Sequence, residues 1–129
     1  MSERDARARP GDNGKAEPVR RWAPQHFRLE PTTLWSFPER GSWAGHEGSY
    51  RGNWSPYIPR NLILRYTQPG ELVLDPFVGG GTTAVEAKLL GRRCLALDRN
   101  LAAIARSRER LRFEPPASAA TAVHAPGLL

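Results

Sequence analysis

The sequence predicts an α/β fold built on a parallel sheet, and three features of its central part lead to that prediction. Two short runs rich in Leu and Val or Ala, "ELVLDPF" over 71–77 and "RRCLALD" over 92–98, are typical of strands. Each run is followed by a helical pattern. A glycine-rich loop separates the first run from its helix. Strand, loop, helix, strand and helix in this order is how a parallel α/β sheet begins.

A helix is also predicted ahead of the first strand, in "IPRNLILRYT" over 58–67. Ile58, Leu62 and Tyr66 stand at i, i+4 and i+8 and form one apolar face. Pro59 lies in the first turn, where proline is tolerated, and the following "QPG" stops the helix.

The two helices after the strands have recognisable ends. Thr83 to Glu86 spell T-x-x-E, the pattern of a capping box, and Gly91 is placed to close that helix. Asn100 is suited to cap the last helix, "LAAIARSRERL". The apolar face predicted for this last helix consists of Leu101, Ile104, Ala105 and Leu111.

Composition divides the chain into three parts. Residues 1–30 mix charged residues with Gly and Pro, show almost no apolar periodicity, and are predicted to form a disordered basic arm. Residues 31–113 are the predicted domain, and its aromatic stretch 35–57 is expected to be irregular but ordered. Residues 114–129 are dominated by Ala and Pro and are predicted to form a disordered tail.

Charge and cysteine content narrow the class of protein. Nineteen Lys and Arg against 13 Asp and Glu give a net charge of +6, carried mostly by arginine, which suits contact with phosphates. A single cysteine, Cys94, excludes an internal disulfide, and the scattered His26, His46 and His124 give no spacing for a metal site. No apolar run is long enough to span a membrane and the N-terminus has no apolar signal region. We therefore expect a cytoplasmic protein without a metal.

The glycine loop predicts a ligand site. Between a buried strand and a helix start, Gly79, Gly80 and Gly81 let a ligand approach the backbone closely and offer it unpaired N–H groups. The spacing is not that of a phosphate-binding P-loop, because the first lysine afterwards, Lys88, lies inside the helix. It is not a full GxGxxG either, since Ala84 stands where the third glycine would be.

Two acidic residues indicate which class of ligand the loop binds. Asp75 ends the first strand beside the loop, and Asp98 ends the second, where a carboxylate can accept both hydroxyls of a ribose. A pyrophosphate would be repelled by Asp75, whereas a ligand with a cationic or amino group near the loop and a ribose beyond it fits. S-adenosylmethionine has that shape. The structural alternative is a tight glycine turn with Asp98 serving only to cap a helix.

The stretch "VLDPFVGGGTTAVEAKLLGRRCLALDRN" resembles the cofactor-binding motif of the DNA amino-methyltransferases, which modify adenine N6 or cytosine N4. The upstream "GNWSPYIPRNLILRYTQPGE" resembles the helix that precedes this motif and closes over the methionine end of the cofactor. The resemblance implies a Rossmann-like S-adenosylmethionine-dependent methyltransferase fold and DNA as substrate, in a restriction-modification setting. The cofactor-binding residues that it implies are Tyr57, Ile58, Pro59, Asp75, Pro76, Phe77, Gly79, Gly80, Gly81, Thr82, Thr83 and Asp98.

The catalytic motif of that family, [DNS]-P-P-[YFW], is not in the sequence. The nearest string, Ser55-Pro56-Tyr57, is one proline short and precedes the glycine loop, so the catalytic residues stay unassigned. The resemblance thus implies an N-terminal, cofactor-binding portion with a truncated parallel sheet. Such a portion is a split subunit, the product of a truncated gene or a decayed remnant, and the sequence does not choose among them. A second polypeptide carrying the catalytic motif is the expected partner.

Two other functions remain open on the sequence. One is a fragment that binds nucleic acid through the arginines of its arm, with a vestigial glycine loop. The other is a portion of an RNA methyltransferase with the same cofactor loop. The aromatic residues of 35–57 could stack on bases in either case, or pack against the sheet. The arginines of the arm are Arg4, Arg7, Arg9, Arg20 and Arg21.

Overall fold

The protein is a small α/β unit, seen in a computed structural model that describes residues 20–116. A 3-10 turn at Trp43–Gly45 is followed by three helices and two strands. In chain order these are α1 (Tyr57–Tyr66), β1 (Leu72–Asp75), α2 (Thr82–Leu89), β2 (Arg93–Ala96) and α3 (Leu101–Arg110). The predicted α/β class and the order of its elements are confirmed. The Rossmann-like fold stays a prediction, because two parallel strands joined by a helix also occur in other α/β folds.

The sheet consists of β1 and β2, which pair in parallel. Val73 lies opposite Cys94, and the two side chains contact a small core of Ile63, Ala87 and Leu90. α2 makes the crossover between the strands and packs on this covered face. Leucines point the other way and stay about half exposed, namely Leu72 at 55%, Leu74 at 60%, Leu95 at 49% and Leu97 at 47%. Helices therefore cover one face of the sheet within the described residues.

α1 forms where the sequence predicts it, but its buried face is different. Tyr66, which was predicted on the apolar face, is 67% exposed. The buried residues of α1 are Pro59, Arg60, Asn61 and Ile63. The predicted face is wrong because α1 packs on α2, whose buried Glu86 attracts the polar side of α1.

The capping box predicted for α2 is also wrong. The residue that precedes the helix is Gly81, in the left-handed region at φ +89°, and Thr83 already lies in the first turn. Glu86 is fully buried and hydrogen-bonds to distant side chains instead of reaching back to the start of the helix. The end of the helix is as predicted, since Gly91 adopts φ +71° and donates its N–H to the Lys88 carbonyl.

α3 begins as predicted, with the Asn100 side chain accepting a hydrogen bond from the Ala102 N–H at 3.0 Å. Its predicted apolar face is wrong, because Leu101 is 82% exposed while Ala103 and Ser107 are buried. Small residues face inward here because α3 approaches the glycine loop closely, with Ser107 against Gly81.

Residues 20–30, which precede the predicted domain boundary at residue 31, contact the rest of the fold. Trp22 packs against the core around Trp43 and Phe113, and the Glu30 N–H donates to the Asn61 side chain at 2.8 Å. Aromatic contacts hold this segment although it lacks apolar periodicity, as with Phe27, whose ring stacks on another aromatic ring. Residues 1–19 of the predicted arm and residues 117–129 of the predicted tail lie outside the described residues.

The aromatic stretch 35–57 is irregular but ordered, as predicted, with Trp43 buried at 3% exposure. Within residues 20–116 no helix is long and apolar enough to cross a membrane. The same residues contain no group of three His, Cys, Asp or Glu side chains placed to hold a metal ion.

Candidate cofactor-binding site

The carboxyl ends of the two strands bring most of the predicted site together. Asp75 is the last residue of β1, and in the parallel register it lies opposite Ala96, two residues before Asp98. The loop 76–81 starts at the same edge and leads into α2. Ligands of open α/β sheets bind at this edge, beyond the carboxyl ends of the strands.

Asp98 holds the glycine loop to the end of β2. One carboxylate oxygen accepts the Gly79 N–H at 2.9 Å, and the other accepts the Asn100 N–H at 2.8 Å. The Asn100 and then the Gly79 backbone donors lower the pKa of Asp98 below its ordinary value. A carboxylate has about four acceptor positions, so these two bonds leave it able to accept further donors.

Asp75 shapes the start of the loop. Its carboxylate accepts the Phe77 N–H at 3.0 Å, which closes a local turn through Pro76. This turn leaves the Phe77 side chain 86% exposed at the edge of the sheet. On β2, burial and then the Asp75 charge raise the pKa of the Cys94 thiol.

The three glycines are required by the protein's own packing. Gly79 and Gly81 adopt positive φ, and a Cβ on Gly81 would lie 2.9 Å from the Ser107 hydroxyl. A Cβ on Gly80 would meet the Tyr50 Cβ at 2.9 Å and the Asn53 side chain at 3.0 Å. The segment before α1 and the helix α3 therefore both touch the loop.

α3 also binds the loop through hydrogen bonds. The Ser107 hydroxyl donates to the Gly79 carbonyl at 2.9 Å, and the Arg110 guanidinium donates to the Gly80 carbonyl. Burial lowers the pKa of Arg110.

The start of α2 offers donors without an intrahelical partner. The first backbone N–H groups of any helix lack an acceptor within the helix. In α2 the preceding residue is Gly81, which has no side chain to accept from them. The Thr82 hydroxyl donates to the Asn53 side chain at 3.0 Å. The Thr83 hydroxyl is buried and has no hydrogen-bond partner among residues 20–116. This orphaned hydroxyl lies in the first turn of α2, directly after the glycine loop.

The predicted site residues at the start of α1 have other neighbours. The Tyr57 ring stacks on Phe37 at 5.1 Å and on Phe27 at 6.3 Å, with Trp43 against its edge at 4.8 Å. Tyr57 lines a cavity of about 770 Å³ whose other lining residues come from 21–48, with no glycine-loop residue among them. Ile58 is partly buried and Pro59 is buried in α1. The hydroxyl of Ser55, in the string nearest to a catalytic motif, donates to the Arg40 carbonyl at 2.7 Å.

Sequence reasoning missed four residues that touch the loop, namely Tyr50, Asn53, Ser107 and Arg110. Ser107 and Arg110 follow the buried Ala103 at i+4 and i+7, which is the one available sequence signal. A small and polar helix face is easily overlooked because apolar periodicity is the usual guide.

The arrangement can hold a ligand that has both acceptor and donor groups. Free N–H groups and a threonine hydroxyl at the start of α2 suit a negatively charged or carbonyl group. The remaining acceptor positions of Asp98 suit a pair of hydroxyls, and the exposed Phe77 ring suits an apolar or planar group.

Comparison with known proteins identifies relatives of this chain. Residues 4–109 match the N6/N4 methyltransferase family model, described as DNA methylase. The chain is 40% identical over 72 residues to the type II methyltransferase M2.DpnII of Streptococcus pneumoniae, which covers 56% of this chain and 26% of that protein. It is 32% identical over 77 residues to the type II methyltransferase M2.MboI of Moraxella bovis, covering 60% of this chain and 28% of that protein. It thus spans little more than a quarter of the length of these two relatives.

Proposed function

The chain belongs to the N6/N4 DNA methylase family, and from that premise we propose that it is the S-adenosylmethionine-binding part of a site-specific DNA amino-methyltransferase. The target is adenine N6 or cytosine N4. The observation that carries the proposal is the joining of the glycine loop to Asp98 at the carboxyl edge of the parallel strands. Asp98 also keeps acceptor positions for a ligand, which an acid that served only to hold the turn would not need.

The described residues fit this cofactor. The orphaned Thr83 hydroxyl and the free N–H groups of α2 would hold its carboxylate or another acceptor, and Asp98 would accept its ribose hydroxyls. Phe77 would lie against its apolar part. When bound, S-adenosylmethionine supplies the methyl group that is transferred. The chain's own contribution is to bind and orient that donor, which is where much of the catalytic advantage of a two-substrate enzyme arises.

Calorimetric titration with S-adenosylmethionine tests the proposal. Asp98→Ala should bind much more weakly than the wild-type chain, and Glu109→Ala, which removes an exposed carboxylate on α3, should bind normally. Thermal unfolding of each variant checks that the Asp98 variant is folded at the assay temperature. Absence of binding by the wild-type chain, combined with salt-sensitive binding to DNA, would instead favour the fragment with a vestigial loop.

We propose further that a second polypeptide with a [DNS]-P-P-[YFW] motif completes the enzyme. The half-exposed leucines of the sheet support this proposal, because parallel sheets normally have both faces covered. The expected occupant of the leucine face is an amphipathic helix of that polypeptide, with an aliphatic stripe facing the leucines.

The test mixes the purified chain with the part of M2.DpnII outside the matched 72 residues. Radiolabelled S-adenosylmethionine and mixed-sequence DNA are added, and the nucleosides are separated. We expect labelled N6-methyladenine or N4-methylcytosine from the mixture and none from the chain alone. Leu74→Glu with Leu95→Glu should abolish the product, whereas Leu34→Glu, at an exposed leucine outside the sheet, should not. Product from the chain alone that is lost in Tyr57→Ala would contradict the proposal and assign catalysis to Ser55-Pro56-Tyr57.

A further inference from the structure

We propose that Ser107 and Arg110 of α3 are positioning residues that set the conformation of the glycine loop for cofactor binding. The inference rests on the proposed function, because it concerns the same loop. It adds residues from a helix that contributes nothing to the predicted binding set.

The Ser107 side chain bonds to the glycine loop and not to its own helix. A serine inside a helix commonly donates its hydroxyl to the carbonyl four residues earlier. Ser107 is 5% exposed and donates instead to the Gly79 carbonyl at 2.9 Å, across 28 residues of sequence. The same side chain occupies the space where a Cβ on Gly81 would lie. Ser107 therefore fixes both the direction of one peptide group and the closeness of α3.

Arg110 holds the next peptide group. Its guanidinium donates to the Gly80 carbonyl, and its other terminal nitrogen lies 3.5 Å from His46 Nδ1. The side chain is partly buried, and the described residues give it no carboxylate within ion-pair distance. A charged donor bonds a carbonyl more strongly than a neutral one does, so this contact is the firmer of the two.

The two bonds determine where the loop directs its N–H groups. In a trans peptide the C=O and the following N–H point in opposite directions. With the Gly79 carbonyl turned toward α3, the Gly80 N–H points away from α3. With the Gly80 carbonyl also turned toward α3, the Gly81 N–H points back and donates to the Val78 carbonyl at 2.9 Å.

Without these anchors the loop would have many conformations. Glycine adopts positive and negative φ about equally, so three glycines in succession do not hold one backbone path by themselves. Asp98 fixes the N–H of Gly79, and α3 fixes the two carbonyls that follow. Affinity for the cofactor then depends on α3, because a loop that is already ordered loses less entropy on binding.

The test combines calorimetry with amide NMR on the full 129-residue chain. Arg110→Met should weaken S-adenosylmethionine binding about tenfold or more, Ser107→Ala should weaken it by a smaller factor, and Arg110→Lys should restore part of the loss. Arg108→Met, at an exposed position on the same helix, is the matched control. In the ligand-free state the first two variants should shift or broaden the amide signals of Gly79, Gly80 and Gly81, while Val73 and Cys94 in the sheet keep theirs.

The outcomes distinguish the role of α3 from the proposed function. If the wild-type chain binds the cofactor and Arg110→Met and Ser107→Ala bind within twofold of it, the role of α3 is overturned and the proposed function stands. If the wild-type chain does not bind the cofactor, the proposed function falls and this inference falls with it. Weaker binding with unchanged glycine signals would also overturn the inference, because the loop would then be ordered without α3.

Discussion

Replacing Glu86 by Gln should strongly destabilise the protein, because its carboxylate joins three parts of the chain. One oxygen accepts hydrogen bonds from Trp43 Nε1 at 2.6 Å and His46 Nε2 at 2.7 Å, and the other accepts from Arg60 Nη1 at 2.9 Å. A carboxylate can only accept, so His46 donates through Nε2. Glu86 has no exposed surface, and every one of these bonds is shielded from water.

The size of the effect follows from the burial of the ion pair. Removing one partner of a buried pair costs about 3–5 kcal/mol, because the other charge is left without compensation. Arg60 keeps its position over the Phe27 ring at 5.3 Å and the Trp43 ring at 5.9 Å, which offsets part of that loss. We therefore expect about 3 kcal/mol for Glu86→Gln, a large share of the roughly 5–15 kcal/mol that stabilises a typical domain.

Urea unfolding followed by tryptophan fluorescence measures this free energy. Glu109→Gln is the matched control, because its carboxylate is exposed and its ion-pair partner among residues 20–116 is the exposed Arg112. Arg60→Met should also destabilise the protein, and the double variant should lose less than the sum of the two single changes, since no unpaired charge is left buried. A loss below about 1 kcal/mol for Glu86→Gln, or strict additivity in the cycle, would refute the reasoning.

Three further results are expected. Gly81→Val should prevent normal folding of the loop and abolish S-adenosylmethionine binding in calorimetry. Gly52→Ala, with positive φ but open space around it, should only lower stability, by about 1–2 kcal/mol. The pKa of Asp98 is lowered in the folded chain. The stability that its carboxylate contributes is therefore complete above the ordinary Asp pKa of 3.8 and is lost as the pH falls below that value. Asp98→Asn should flatten this part of a profile of stability against pH, measured by urea unfolding. A chain trimmed to residues 20–116 should keep its melting temperature in calorimetry, because the removed segments have few large apolar side chains, and a fall of many degrees would contradict that.

Local signals in the sequence predicted the elements well. Gly91 ends α2 and Asn100 caps α3 because each acts on backbone groups within a few residues of itself. The carboxyl edge with Asp75 and the glycine loop could likewise be placed, since parallel strands must end at the same edge.

Contacts between distant segments could not be predicted in the same way. The spacing of Thr83 and Glu86 is compatible with a capping box, but the donors that actually reach Glu86 lie 26 to 43 residues away in sequence. The bond from Ser107 to the loop is another such contact, spanning 28 residues. A polar side chain in a helix does not indicate its partner when that partner lies on another element.

The helix faces that were predicted wrongly show where apolar side chains of this chain are exposed. Leu101 at 82% exposure and Tyr66 at 67% follow an apolar pattern that the described residues leave uncovered. The outward leucines of the sheet, Leu72, Leu74, Leu95 and Leu97, are exposed in the same way. Scattered exposed apolar residues need no explanation, but four leucines on one face of a parallel sheet form a contiguous patch. This patch has the apolar pattern of a sheet face that is covered in the folded assembly, and a partner that covers it should stabilise the chain by binding only its folded state.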